Sequence, residues 1–270
     1  MNITFIGGGN MASAIIGGLL QQGWQADAVR VVEIDAAARA RLERELRVKA
    51  FADIGPALAG SGCVVLAVKP QQMREVAQAL RGELGSQLVI TIAAGIRSRD
   101  LSRWLGDYQR IVRAMPNTPA LVLAGVSGLY AMPAVSAADR SQAEKILGAV
   151  GATLWLTRED QLDAITAVSG SGPAYVFYFI EALQQAAAEL GFSADEARRL
   201  ALDTFAGAVK LAAHSSEDAA TLRARVTSKG GTTARAMDAM AADRVKEAIV
   251  RAVRAAAERS RELGDEFGRD

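Results

Sequence analysis

The sequence predicts an α/β domain over residues 1–158, a mostly parallel sheet with helices on both faces, followed by an all-α domain over residues 159–270. Three observations predict it. β-rich runs alternate with helical segments up to about residue 157, the strand-like runs are apolar almost throughout, and β-forming character vanishes after residue 160. Alternation of this kind builds parallel βαβ units, and strands without polar positions are those buried on both faces. A chain of 270 residues, half of them apolar, can fill two cores at roughly 150 residues per domain.

The runs 3–6, 29–34, 63–68, 88–92 and 110–115 read as strands, with weaker strands at 126–131 and 153–156. Helices are predicted between the early ones at 11–22, 36–46, 71–80 and 99–105. In the second part, Tyr175, Phe179, Leu183, Ala186 and Leu190 form a helical stripe closed by Gly191. Ser193 with Glu196 three residues on is a capping box opening a helix to about residue 213. Segments 232–240 and 243–263 complete the helical set. Residues 169–173, Ser-Gly-Ser-Gly-Pro, interrupt a helix, and Pro173 suits the first turn of the next one.

Composition excludes several kinds of chemistry. Lys and Arg number 31 against 30 Asp and Glu, so the net charge of +1 argues against binding nucleic acid by counterion release. A lone cysteine, Cys63, rules out a disulfide framework and a cysteine-rich zinc site. The lone histidine, His214, rules out a histidine-cluster metal centre, and no metal is expected. The chain starts without a basic n-region and holds no apolar run of about 18 residues, which predicts a soluble cytoplasmic protein that does not enter membranes.

The first chemical signal is Gly7-Gly8-Gly9-Asn10-Met11-Ala12, a G-x-G-x-x-A motif set between strand and helix. The first glycine permits a tight turn, the second lets backbone approach a pyrophosphate, and the small third residue lets helix and strand pack closely. This is a Rossmann-type dinucleotide signature; a glycine turn without a ligand is the alternative. Glu33 lies 21 residues after Ala12, with Asp35 two further on, and a carboxylate there accepts from a ribose 2′-hydroxyl and repels a 2′-phosphate. No Arg or Lys occurs from 31 to 38, which leans toward NADH. Two more strand ends, Val68-Lys69-Pro70 and Ala93-Ala94-Gly95, resemble cofactor-lining turns whose small residues leave room for ribose and nicotinamide.

Together, FIGGGNMA (5–12), AVKP (67–70), AAG (93–95), RAMPNTP (113–119), VSGSGPAY (168–175) and SKGGTT (228–233) resemble pyrroline-5-carboxylate reductase, in order along nearly the whole chain. The resemblance implies reduction of a cyclic imine to L-proline with NAD(P)H, an N-terminal Rossmann domain, and a C-terminal helical domain that makes a homodimer, with assembly into a higher oligomer such as a decamer. It implies cofactor contacts from Ile6, Gly7, Gly8, Gly9, Asn10, Met11, Val68, Lys69, Pro70, Ala93, Ala94, Gly95 and Asn117, to which the spacing adds Glu33 and Asp35. It implies that Ser228, Gly231 and Thr232 hold the substrate carboxylate, with Gly230 also at the substrate, and that Thr233 bonds the ring nitrogen as the catalytic orienter. Glu159 matches a position that approaches substrate. Hydroxyls and backbone N–H groups at a helix start suit a carboxylate; a plain capped helix N-terminus is the alternative. The sequence departs from the family pattern in two places: Lys229 stands where proline is common, and Glu33-Ile34-Asp35 replaces residues suited to a 2′-phosphate. Competing readings are a β-hydroxyacid dehydrogenase relative, which needs a catalytic lysine among Lys210, Lys229 and Lys246, and a silent dinucleotide-binding protein.

Overall fold

A computed structural model describes residues 2–269. The chain runs β1 (Asn2–Ile6), α1 (Asn10–Gln21), β2 (Val29–Val32), α2 (Ala36–Leu46), β3 (Lys49–Phe51), α3 (Ile54–Leu58), β4 (Ser61–Leu66) and α4 (Pro70–Leu80). There follow β5 (Leu88–Thr91), α5 (Ser98–Trp104), β6 (Ile111–Met115), β7 (Gly125–Ala131), α6 (Ala137–Gly148), β8 (Gly151–Trp155) and α7 (Gln161–Ile165). A π-helical turn, Thr166–Gly170, precedes α8 (Gly172–Glu189), α9 (Ala194–His214), α10 (Ala219–Arg225), α11 (Thr232–Ala242) and α12 (Val245–Phe267).

The eight strands form one sheet in the order β3-β2-β1-β4-β5-β6-β7-β8, parallel except for the β6–β7 pair. Alternation along each strand explains the two cores. Ile3, Phe5, Cys63, Val65, Leu88 and Ile90 point to one side with Ile15, Leu19 and Ile146 of α1 and α6. Ile6, Val64, Leu66 and Val89 point to the other with Met73, Leu80 and Leu101 of α4 and α5. Both faces are therefore apolar, which is why these strands carry no polar alternation. The strand order reverses between β1 and β4, the switch point where such sheets bind ligands.

Three elements of this sheet domain went unread in the sequence. β3 and α3 are three and five residues long. α6 has a mixed surface, but its start is a capping box in which Ser136 and Asp139 exchange bonds. Asp139 also receives Arg110, Nη2 to Oδ1 2.6 Å. Burial alone would raise the Asp139 carboxyl, yet the bonds from Arg110 and Ser136 outweigh it and hold the group below the usual carboxylate range. A folded value below the unfolded one means that this stabilisation is complete above the unfolded value, near 3.9, and is lost as pH falls through the folded one. An Asp139→Asn variant is thus expected to melt below the parent protein at pH 6, with the gap closing toward pH 3, as thermal scans across that range will read.

By contacts, the chain divides into Met1–Ser171 with Ala256–Asp270, and Gly172–Ala255. This division differs from the compositional boundary at 158/159. Ile165 of α7 lies over Gly128 of β7, where a Cβ would meet it at 2.9 Å, and the last residues of α12 pack on the sheet domain. In the helical unit, Ala197 and Ala201 are the only buried residues among those described. Phe177 and Tyr178 of α8 are 65% and 72% exposed. No helix of the described residues is long and apolar enough to cross a membrane.

Candidate active site

At the carboxyl ends of β1, β2 and β4 lies a cleft of about 600 Å³. Ile6, Gly7, Gly8, Gly9, Glu33, Val68 and Lys69 line it. Gly7 has φ +99°, and a Cβ there would stand 2.9 Å from the carbonyl oxygen of Ala67. Only glycine fits where β1 turns this close to β4. Gly9 is the N-cap of α1, without a side-chain cap, and a Cβ there would meet nothing within 4 Å. The first N–H groups of α1 thus open onto unfilled space with no acidic residue in the first turn, a setting that suits an anion. Ala12, the small third position, is buried against the sheet.

Glu33 reaches back to the loop: Oε2 accepts from Gly8 N at 3.0 Å and Oε1 from Asp35 N at 3.0 Å. Its carboxylate is therefore fixed beside the glycine turn. Asp35 serves as N-cap of α2, accepting from Ala38 N at 2.7 Å, and does not line the cleft. The Arg39 guanidinium donates to the carbonyls of Glu33 and Ile34 at 2.7 and 2.9 Å. Ala52 and Asp53 of the turn after β3, Ile54 and Gly55 of α3, and Gln72, Glu75 and Glu83 add to the wall. The sequence gives no sign of 52–55 because the elements around them are too short for a periodic signal, and Gln72 and Glu75 lie on a helix that it does predict but in no motif that singles them out.

Asn10, Met11, Pro70, Ala93, Ala94, Gly95 and Asn117 lie outside the cleft lining. Pro70 opens α4 as its first residue. Asn117 is buried, with its carboxamide fully engaged: Nδ2 donates to Ser169 O and Oγ at 3.1 Å each, and Oδ1 accepts from Val126 N at 2.8 Å. Its side chain anchors the π-helical turn. Glu159 is equally committed, accepting from Ser98 N at 2.6 Å, Ser98 Oγ at 2.7 Å and Arg113 Nη1 at 3.0 Å. Because Arg113 is buried, Glu159→Ala would leave its charge unpaired. The variant is expected to lose about 3 kcal/mol of stability in urea unfolding, and a loss below about 1 kcal/mol would contradict this role.

In the helical unit, residues 228–233 form a tight turn into α11. Gly231 N donates to Ser228 O at 3.0 Å, and Gly230 has φ +73°. Gly231 is the N-cap and no side chain caps it, so Thr232 and Thr233 present the first N–H groups of an eleven-residue helix. A Cβ on Gly231 would strike the Ser228 hydroxyl at 2.5 Å, so glycine there keeps that hydroxyl beside the helix start. His214 is exposed, with Nδ1 2.8 Å from the Lys210 carbonyl, and Cys63 is buried in β4, where burial pushes its thiol far above the usual range.

Residues 159–263 match the family model for pyrroline-5-carboxylate reductase dimerisation. Residues 2–95 match the model for coenzyme F420-dependent NADP oxidoreductases. The chain is 46% identical to a pyrroline-5-carboxylate reductase of Pseudomonas aeruginosa, over 98% of both chains. This chain belongs to the pyrroline-5-carboxylate reductase family.

The pyrroline-5-carboxylate reductase of Pasteurella multocida is 42% identical over 97% of both chains. Among solved structures, a pyrroline-5-carboxylate reductase from Coxiella burnetii superposes with a TM-score of 0.91 at 40% identity, covering 97% of this chain and 98% of that one. The pyrroline carboxylate reductase of Plasmodium falciparum, solved with NADP bound, gives a TM-score of 0.89 at 28% identity over 98% of each chain. The dimerisation model of this reductase family begins at Glu159, the residue that here latches the end of the sheet domain to α5.

Proposed function

We propose that this reductase-family member converts Δ1-pyrroline-5-carboxylate to L-proline by hydride transfer from NAD(P)H, the last step of proline biosynthesis. The observation that carries this reading is the pairing, in one full-length match, of an uncapped glycine-loop helix start with an uncapped hydroxyl-rich helix start at 228–233. The first suits a dinucleotide pyrophosphate and the second a small carboxylate. Gly7, Gly8 and Gly9 with the N-terminus of α1 hold the pyrophosphate, Glu33 the ribose, and the turns at 68–70 and 93–95 the nicotinamide half. When bound, the dinucleotide supplies the hydride. Ser228, Gly231 and Thr232 hold the substrate carboxylate. The Thr233 hydroxyl bonds the ring nitrogen, orienting a C=N bond that solvent has already protonated. Once the imine carbon, which becomes C5 of proline, gains the hydride, the nitrogen keeps its proton as the amine of proline. The work of the protein is proximity and orientation, and no tuned acid is needed.

We further propose a preference for NADH. The Glu33 carboxylate is pinned beside Gly8, and Asp53, Glu75 and Glu83 share the cleft. Like charges about 4 Å apart at a protein surface repel by a few kcal/mol. Wild-type kcat/KM is therefore expected to favour NADH, and Glu33→Gln to shift the NADH/NADPH ratio toward NADPH by at least about tenfold. A wild-type preference for NADPH would sink the cofactor argument.

A homodimer follows from the helical unit, which buries only two alanines and needs a second copy to cover faces such as Phe177 and Tyr178. We propose that dimers assemble further, into a ring such as a decamer. The free, buried Cys63 suits a reducing compartment, and we assign the enzyme to the cytoplasm.

A further inference from the structure

The last turns of α12 do something that cofactor and substrate binding leave unexplained. Phe267 packs into the second core and lies against the turn after β5: a Cβ on Gly95, where φ is +74°, would stand 3.0 Å from its ring and 3.4 Å from Leu263 Cβ. Two residues on, Arg97 donates through Nη1 to Asp265 Oδ1 at 2.7 Å and through Nη2 to the Arg261 carbonyl at 3.3 Å. Gly264 makes room for that guanidinium, since a Cβ there would meet Nε at 3.0 Å. One turn further, Arg103 Nη2 bonds the Gly268 carbonyl at 3.0 Å. Residues 261–268 thus grip three successive points of the 95–103 segment.

We propose that this C-terminal turn is a clasp that positions residues 93–95, with Phe267 and Asp265 as positioning residues for the nicotinamide half of the cofactor. The inference rests on the assignment of 93–95 to that half. A backbone turn at a strand end has few bonds of its own: Ala93 N donates to Thr91 Oγ1 at 3.4 Å, a long contact. Burying an aromatic ring against Gly95 while anchoring Arg97 removes the freedom that would blur hydride alignment, where misplacement by about 1 Å can cost about a hundredfold in rate. The adenine half is held elsewhere, by the glycine loop and Glu33, so the clasp acts on one end of the dinucleotide only.

The test compares NADH with ADP-ribose, which lacks the nicotinamide, in the full-length protein. Phe267→Ala is expected to lower kcat about tenfold and weaken NADH binding, measured by its fluorescence, while the Kd for ADP-ribose stays within about twofold. Phe267→Leu should recover most of the loss. Equal losses for ADP-ribose and NADH, or unchanged kcat and NADH affinity, would overturn the clasp. Should Phe267→Ala fail to fold, Asp265→Asn weakens the Arg97 pair and a 3.3 Å exposed pair with Arg261 on its own helix, and leaves the aromatic contact in place: the same split in smaller measure supports the clasp, and no split overturns it. Absence of NADH binding by the unaltered protein would sink the cofactor reading and the clasp together, whereas normal wild-type turnover beside unchanged variants sinks the clasp alone.

Discussion

Replacing Gly9 with alanine is expected to weaken NADH binding by about a hundredfold while leaving the melting temperature within about 1 °C. A Cβ at Gly9 would meet no protein atom within 4 Å, and its φ of −69° is open to any L-residue, so the fold tolerates the methyl group. The space it fills is the space at the N-terminus of α1 assigned to the pyrophosphate. Loss of close approach to the helix N–H groups removes several charge-assisted hydrogen bonds, each worth about 1.5–3 kcal/mol. Gly7→Ala is the structural control. With φ +99° and the Ala67 carbonyl 2.9 Å from the new Cβ, it is expected to cost about 2–4 kcal/mol of stability as well as binding. A Gly9→Ala protein that binds NADH normally would mean that the cleft is not the pyrophosphate site.

Thr233→Ala is expected to lower kcat/KM for the imine by about 10- to 100-fold with the Kd for NADH unchanged. The hydroxyl proposed to orient the ring nitrogen sits on the second residue of α11, behind the Gly231 cap. Removing one hydrogen bond to a group that is charged during reaction costs about 1.5–3 kcal/mol, and the loss falls on transition-state binding. Substituting Lys210 tests the rival carbonyl-reductase chemistry: its backbone carbonyl meets His214 and its side chain belongs to a surface helix, so Lys210→Ala should turn over normally. The reverse pattern would favour the rival.

Much of this was legible beforehand, for physical reasons. Strands whose odd and even positions both face cores must be apolar throughout, and 63–68 and 88–92 displayed that. The glycine loop was legible because backbone geometry admits no other residue at Gly7. Elements of three to five residues, β3 and α3, carry no period, yet the turn between them and the start of α3 wall the cleft. The commitments of Asn117 to Ser169, Glu159 to Ser98 and Arg97 to Asp265 join residues far apart in sequence, and no local pattern announces them. For the same reason the contact division at 171/172 differs from the change in composition at 158/159.

The most direct measurement supplies the purified protein with Δ1-pyrroline-5-carboxylate and NADH deuterated at the nicotinamide C4, then analyses the product by mass spectrometry. The account predicts L-proline carrying one deuterium at C5, with one NADH consumed per proline formed. Consumption of NADH without labelled proline, or no turnover despite bound dinucleotide, would contradict it.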